Sequence, residues 1–290
     1  MENVTEIDYS KVGIDDNFMF GYIMKDEKRC KPFLEQILDI KIDHIEYMEK
    51  EKDVDLSKIS HSVRLDIYVE DSKTVYNCEM QVKDTKNLPK RSRYYQGQID
   101  LNLLRPGEDY NKLKRTYIIF ICKFDLFGEG RYLYTFENRC IQNLQLRLGD
   151  DSIKIFINTK GQTGNVSEEF KELIHFLDTS EIKHYESGLV NDLAQALEEA
   201  RSNEKWRHDY MTWTQMLNEI RNEEREEGRK EGLEEGLEKG IKALIIDNME
   251  DGKTKEEISD KLIKRFDISQ EEAENLETNL STSLQTPQEA

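Results

Sequence analysis

The sequence predicts an α/β fold in which a mixed central sheet is flanked by helices and is followed by an α-helical C-terminal region. Three observations predict it. Residues 62–83 contain two alternating apolar and polar segments, residues 116–124 form a nearly all-apolar run, and residues 167–227 show helical periodicity. A strand that is apolar on both faces needs a covering layer on each side, so helices are expected on both faces of the sheet.

The two alternating segments predict a β-hairpin. Its apolar positions fall on one face of each strand: Val63, Leu65, Ile67 and Val69, then Tyr76, Cys78, Met80 and Val82. The polar turn, residues 71–74, gives a register in which paired residue numbers add up to 145. On the polar face this register sets Arg64 opposite Gln81, Asp66 opposite Glu79, and Tyr68 opposite Asn77.

The facing pair Asp66 and Glu79 is the candidate site. Carboxylates directly opposite on a sheet lie about 5 Å apart at Cβ and repel each other, so a cation between them is expected. Mg²⁺ and Mn²⁺ prefer such oxygen ligands and also bind phosphate, which makes a phosphodiester the natural substrate. The alternative is that both residues are solvated on the exposed face of an ordinary hairpin.

The other elements of the predicted core surround this hairpin. Asp15-Asp16 is expected to cap a first helix, and Pro32 to lie at the first position of a second. A strand at 42–48 precedes the hairpin, a helix at 90–104 follows it, and strands at 116–124, 132–136 and 153–158 extend the sheet.

The sequence resembles a known family in several motifs that occur in a characteristic order. They are IDDNFMFGYIM, RLDIYVE, NCEMQV, LPKRSRYYQGQIDLNLLRPGEDY, KRTYIIFICKFD and EEGRKEGLEEGLEKG. The chain is similar to the recombination-promoting nuclease and transposase family of the PD-(D/E)XK nuclease superfamily. The resemblance implies a restriction-endonuclease-like core and a metal-dependent DNA endonuclease.

The resemblance also implies roles for individual residues. Asp66, Glu79 and Gln81 take the catalytic positions, and Asp66, Glu79 and the Met80 carbonyl take the positions of ligands to Mg²⁺ or Mn²⁺. Gln81 stands where the motif has Lys, and an amide can orient a water molecule but carries no charge. Lys83 either supplies the missing charge or is a solvated residue at the end of the strand.

Basic residues follow the candidate catalytic strand. The predicted DNA contacts are Lys83, Lys90, Arg91, Arg93 and Gln96. They would hold phosphates without reading bases. The alternatives are a solvated loop and helical turn and, for Gln96, a surface position on an amphipathic helix.

The net charge of −18 is unevenly distributed along the chain. Residues 1–160 hold 26 Lys and Arg against 28 Asp and Glu, whereas residues 161–290 hold 16 against 32. The near-neutral first part is therefore the expected DNA-binding part. The N-terminus has no basic and apolar signal segment, and no run of 18 apolar residues occurs, so a cytoplasmic protein without a membrane partner is expected.

The predicted organisation has five parts. They are a nuclease core at 1–160, a helical extension at 161–227, a spacer with a glycine every four residues at 228–244, a small helical module at 245–279 and a disordered tail at 280–290. The glycine spacing has two interpretations: a marginal helical spacer, or a face that packs against a second helix and makes the chain a homo-oligomer.

Two functions remain open from the sequence. The first is a DNA endonuclease of low sequence specificity that promotes recombination. The alternative is a catalytically weakened DNA-binding or protein-assembly module that retains the nuclease fold, because Gln81 replaces the Lys of the motif.

Overall fold

A computed structural model describes residues 7–47 and 67–276 of the chain. The chain divides into two compact units, of which the first ends at Tyr210 and the second begins at Met211. The predicted disordered tail and the predicted strand pairing at 63–66 lie outside the described residues. The five-part division predicted from the sequence stays a prediction.

The described residues form helices and strands in both units. The helices are α1 (Asn17–Ile23), α2 (Glu27–Leu38), α3 (Leu88–Leu103), α4 (Glu168–Thr179), α5 (Gly188–Ser202), α6 (Glu204–Glu250) and α7 (Lys255–Phe266). The strands are β1 (Glu46–Tyr47), β2 (Ile67–Glu70), β3 (Thr74–Gln81), β4 (Arg115–Cys122), β5 (Leu133–Phe136), β6 (Arg139–Cys140), β7 (Asn143–Arg147) and β8 (Ser152–Asn158). Short 3-10 helices lie at Tyr9–Lys11 and Tyr110–Lys112.

The described strands build a six-stranded mixed sheet in the order β1-β2-β3-β4-β8-β5. β3, β4 and β8 are parallel to one another, and the outer strands are antiparallel to their neighbours. The parallel connection from β3 to β4 runs through α3, as a crossover helix does in parallel sheets. The mixed sheet and its helices confirm the predicted fold class.

The β2–β3 hairpin has the predicted register. Ile67 pairs with Cys78 and Tyr68 with Asn77, so the paired numbers add up to 145. The turn is fixed by Asp71, whose carboxylate accepts hydrogen bonds from the backbone N–H groups of Lys73 and Thr74 at 2.7 Å each. An Asp at the start of a turn is a common way to fix a hairpin register.

Helices cover both faces of the sheet. One face packs against α1, α2, α4 and α5 in the larger core, to which Cys78 and Ile119 contribute. The other face packs against α3 in a smaller core, to which Val75 and Phe120 contribute. β4 is buried along nearly its whole length, which confirms the strand predicted at 116–124.

The start of α2 differs from the prediction. α2 begins at Glu27, after Asp26 caps it by accepting a hydrogen bond from the Lys28 N–H, and Pro32 lies inside the helix. The prediction placed Pro32 at the first helical position and was wrong because the better cap, Asp26, lies further back in the chain. The cap of α1 was predicted correctly: the Asp16 carboxylate accepts from two N–H groups of the first turn.

A two-stranded sheet of β6 and β7 is an element that the sequence did not predict. All five residues of β7 are exposed. Because neither face of this small sheet is buried, its strands carry no core pattern by which a sequence would reveal them.

In the second unit, the later part of α6 packs with α7 and with the helical residues 270–276. Its core consists of Ile241, Ile245, Ile258, Leu262 and Ala273. α7 begins with a capping box in which Thr254 and Glu257 exchange side-chain and backbone hydrogen bonds. Residues 228–240 continue α6 without a break, so the segment with a glycine every four residues is helical.

Candidate active site

A row of polar side chains runs along the face of β3 that packs against α3. Asn77, Glu79 and Gln81 occupy alternate positions, and they are 0%, 2% and 9% exposed, respectively. This burial excludes the alternative that Glu79 is a solvated residue on an open face. A carboxylate this deep in a protein requires a compensating positive charge or several hydrogen bonds.

Arg91 brings such a charge. It lies in the first turn of α3, and its Nη2 atom is 3.6 Å from the Oε2 atom of Glu79. Its Nη1 atom donates a 3.1 Å hydrogen bond to the Oε1 atom of Gln81. One guanidinium group therefore contacts both polar side chains at the end of β3.

The amide group of Gln81 is held at both ends. Its oxygen accepts from Arg91, and its nitrogen donates a 2.8 Å hydrogen bond to the Met80 carbonyl. A glutamine amide has two N–H donors and two acceptor positions, so the hydrogen bonds among the described residues leave one donor and one acceptor position of Gln81 unused. The side chain is fixed in direction and keeps capacity to bind.

The comparison with known families falls on the part of the chain that forms this site. Residues 18–158, which run from α1 to the last residue of β8, match the family described as PD-(D/E)XK nuclease family transposases. Over these residues, which make up just under half of the chain, the chain is similar to the PD-(D/E)XK nuclease family transposases. No curated protein and no solved structure matches the chain.

The family match confirms the resemblance for residues 18–158 and leaves the glycine-containing segment of α6 outside it. Asp66, the predicted first carboxylate of the PD-(D/E)XK motif, lies outside the described residues, so its pairing with Glu79 stays a prediction. Glu79, the predicted second carboxylate, lies on β3. The assignment of Gln81 to the position of the motif's Lys also stays a prediction.

The oxygen atoms around Glu79 suit a hard divalent cation. Among the described residues, no group of three or more His, Cys, Asp or Glu side chains forms a metal site. What this part of the chain supplies is the buried carboxylate of Glu79 and the carbonyl of Met80, both of them oxygen donors of the kind that Mg²⁺ and Mn²⁺ prefer. The donor type fits a PD-(D/E)XK metal site that Asp66 would complete.

The residues predicted to contact DNA differ in their exposure to solvent. Lys83, Lys90 and Arg93 are exposed, whereas Arg91 is turned inward. Its guanidinium carbon lies 5.3 Å from the centre of the Tyr95 ring and 5.4 Å from that of Phe120. Gathering phosphates by electrostatic attraction remains a predicted role for the three exposed residues.

Gln96 lies away from the Glu79 end of the face. Its amide donates to Asp100 at 2.9 Å and accepts from the Ser152 hydroxyl at 2.8 Å, at the start of β8. Both ends of the amide are thus used inside the protein. Burial raises the pKa of the nearby Asp100 carboxyl, with smaller opposing effects from Gln96 and Lys154.

Asn77 is the buried polar residue next to Glu79 on the same face. Neither its amide nitrogen nor its amide oxygen has a hydrogen-bond partner among the described residues. Opposite it on β2, burial raises the pKa of Tyr68 to about 12, with further effects from Glu70 and Asp100. Most buried polar groups in proteins are hydrogen-bonded, so the Asn77 amide is an exception on this face of the sheet.

The inward direction of Arg91 was not predicted from the sequence. Arg91 and its neighbours Lys90 and Arg93 look alike in a basic run. The sequence did contain a signal for it, namely the helical spacing. Leu88, Tyr95 and Ile99 lie on the buried face of α3. Arg91 is three residues after Leu88 and therefore lies on the same face.

No helix in the described parts of the chain combines the length and the apolar character that crossing a membrane requires.

Proposed function

We propose that this chain is a Mg²⁺- or Mn²⁺-dependent DNA endonuclease that hydrolyses phosphodiester bonds with low sequence specificity. The observation that carries the proposal is the buried carboxylate of Glu79 on β3, which Arg91 and Gln81 accompany, within residues that match a PD-(D/E)XK nuclease family. The name of the family supports a role of this cleavage in recombination.

Glu79 and Asp66 are the proposed side-chain ligands, with the Met80 carbonyl as a third donor. When bound, the cation would lower the pKa of a water molecule and offset the negative charge that builds up at phosphorus. The burial of Glu79 favours this role, because removing a carboxylate from water makes it a stronger partner for a cation.

Gln81 is proposed to orient the attacking water molecule. Its direction is fixed by the hydrogen bonds to Arg91 and to the Met80 carbonyl, which leave one of its N–H donors without a partner in the part of the chain that the structure describes. An orienting group gains from being rigid, since its position does not have to be established during the reaction.

The exposed basic side chains that follow β3 are consistent with low sequence specificity. Lys83, Lys90 and Arg93 are exposed, and long cationic side chains bind phosphates regardless of the bases. The proposed DNA affinity is therefore mainly electrostatic and falls with salt.

Cleavage of supercoiled plasmid tests the proposal. Wild type should nick the plasmid with Mg²⁺ or Mn²⁺ and lose the activity in a chelator. Glu79→Gln and Asp66→Ala should each slow cleavage by at least about 100-fold, because each removes one of the two charged ligands. The matched control, Glu129→Gln at a carboxylate that is 66% exposed, should cleave like wild type.

Full metal-dependent activity in purified Glu79→Gln would contradict the assignment of the site. Absence of cleavage by a folded wild type that binds DNA would favour a second function, a DNA-binding or assembly module that retains the fold. The observation in favour of that function is Gln81, an uncharged residue at the position of the motif's Lys.

A further inference from the structure

We propose that Arg91 is a catalytic residue that supplies the positive charge at this site, in contact with the phosphate that is cleaved. The inference rests on the proposed endonuclease function and assigns to α3 a charge that the motif normally carries on the strand. In the reaction, a water oxygen bonds to phosphorus and the bond from phosphorus to one ester oxygen breaks. The water loses a proton, and the leaving oxygen takes one up.

The contacts of Arg91 place its charge beside both candidate catalytic side chains of β3. The guanidinium donates to Gln81 at 3.1 Å and lies 3.6 Å from the nearest Glu79 oxygen. Gln81 carries no charge, but the guanidinium that is hydrogen-bonded to it does. Arg91 therefore brings a positive charge next to position 81.

The guanidinium keeps capacity for a phosphate. The 3.6 Å distance to Glu79 is longer than the 2.7–2.9 Å of a strong charged hydrogen bond, so this pair does not use the full binding capacity of the group. The Arg91 side chain is 27% exposed, and a guanidinium has five N–H donors in a planar arrangement that matches phosphate oxygens. An anion can reach it from solvent.

The position of the guanidinium is fixed before any substrate binds. Its carbon lies 5.3 Å and 5.4 Å from the centres of the Tyr95 and Phe120 rings, within the range of cation–π attraction. Its Nε atom is buried and has no hydrogen-bond partner among the residues that the structure describes. Burying this N–H group without a partner lowers the stability of the protein. That loss is understandable if the guanidinium is held in place to stabilise charge during the reaction.

Lys83, which the sequence analysis considered as the source of the missing positive charge, is less well placed than Arg91. It lies two residues beyond the end of β3 and is exposed, and the intervening Val82 is 47% exposed. An exposed ammonium group is a weaker source of charge stabilisation than a fixed group in a partly buried site.

The test separates DNA binding from chemistry in single-turnover cleavage with enzyme in excess. Arg91→Ala should lower the cleavage rate constant by about 10²- to 10³-fold, the usual cost of removing a fixed charge donor. Its DNA affinity should change by less than about threefold, since one phosphate contact among several is lost. Arg105→Ala, which removes an exposed charge beyond the other end of α3, should keep both values.

Three further measurements exclude a merely structural role. Arg91→Lys should fold with the thermal midpoint of wild type within a few degrees and regain part of the rate. Free guanidinium ion should restore part of the activity of Arg91→Ala and none of that of Glu79→Gln. Mn²⁺ should bind more tightly to Arg91→Ala than to wild type without DNA, because a like charge beside Glu79 is gone.

Each outcome leads to a distinct conclusion. Wild-type cleavage that persists in Arg91→Ala, or that disappears in Lys83→Ala alone, would overturn the assignment of Arg91 and leave the endonuclease function intact. Unchanged Mn²⁺ affinity in Arg91→Ala would also contradict it. Absence of cleavage by wild type under all conditions would instead reject the proposed function on which the inference rests.

Discussion

Among single residues, Asn77 is a source of instability on the face of the sheet that packs against α3. It is fully buried, and neither polar atom of its side chain has a partner among the described residues. An unsatisfied buried amide costs about 1–3 kcal/mol. Removing the polar atoms while keeping the shape should recover part of that cost.

We expect Asn77→Leu to raise the free energy of unfolding by about 1–2 kcal/mol. The control is Asn158→Leu, because the buried Asn158 donates to the Arg131 carbonyl and accepts from the Lys160 N–H. That variant should lose about 1–3 kcal/mol. Urea denaturation measures both, and equal destabilisation by the two changes would mean that Asn77 has a bound partner such as water.

At the scale of elements, the long helix α6 carries glycines that its surroundings do not require. A Cβ atom added at Gly228, Gly232 or Gly236 would meet nothing within 4 Å, and residues 218–240 are exposed. Gly240 differs, because its Cβ would come to 3.8 Å from the Phe266 ring, which is an ordinary contact. Both interpretations of the glycine spacing, a spacer and a packing face, remain open.

Gly232→Ala and Gly236→Ala should each stabilise this helix by about 1 kcal/mol, since alanine restricts the unfolded chain more than glycine does. Circular dichroism during heating measures the effect. Gly161→Ala is the control: its Cβ would lie 2.5 Å from the Tyr132 backbone, so it should destabilise the protein. A fall in sedimenting mass on either helical substitution would favour the packing face over the spacer.

The elements that the sequence predicted well are those with a strong period. In β2 and β3 apolar and polar residues alternate, and in β4 nearly all residues are apolar. These patterns can be recognised directly in the sequence because successive residues of a strand face opposite sides of the sheet. The direction of Arg91 was not predictable in this way. It depends on the rotation of α3 against the sheet, which the packing of Tyr95 and Phe120 decides.

The structure also explains which part of the candidate site could be read from the sequence. Glu79 and Gln81 stand out because polar residues interrupt a buried strand. Asn77 was assigned to the polar face of the hairpin, but its lack of partners is a property of the space under α3. The extent of burial on that face was missed because an alternating strand looks half-exposed until a helix covers it.

At the scale of the whole molecule, charge is divided between the two compact units. Residues 211–290 hold 11 Lys and Arg against 21 Asp and Glu. If this acidic part competes with DNA for basic residues, a chain that ends at Tyr210 should bind DNA several-fold more tightly at low salt. The difference should vanish near 0.5 M salt, where charges are screened beyond about 4 Å.

Fluorescence anisotropy with a labelled duplex measures that difference, and equal affinity of the two chains at low salt would contradict the idea. The shortened chain should end at Tyr210 and not at residue 160, where the predicted nuclease core ends. α5 and Trp206 belong to the same core as the sheet, so a chain cut at 160 would expose that core.

Glu79, Gln81 and Arg91 all lie on one uninterrupted stretch of chain, the β3–α3 segment from Thr74 to Leu103. A single short length of gene therefore encodes the carboxylate, the amide and the cation, together with Tyr95, one of the two rings that hold the cation in place. Arg91, to which the positive charge of the site is assigned above as a proposal, is thus encoded in the same block as Glu79 and Gln81.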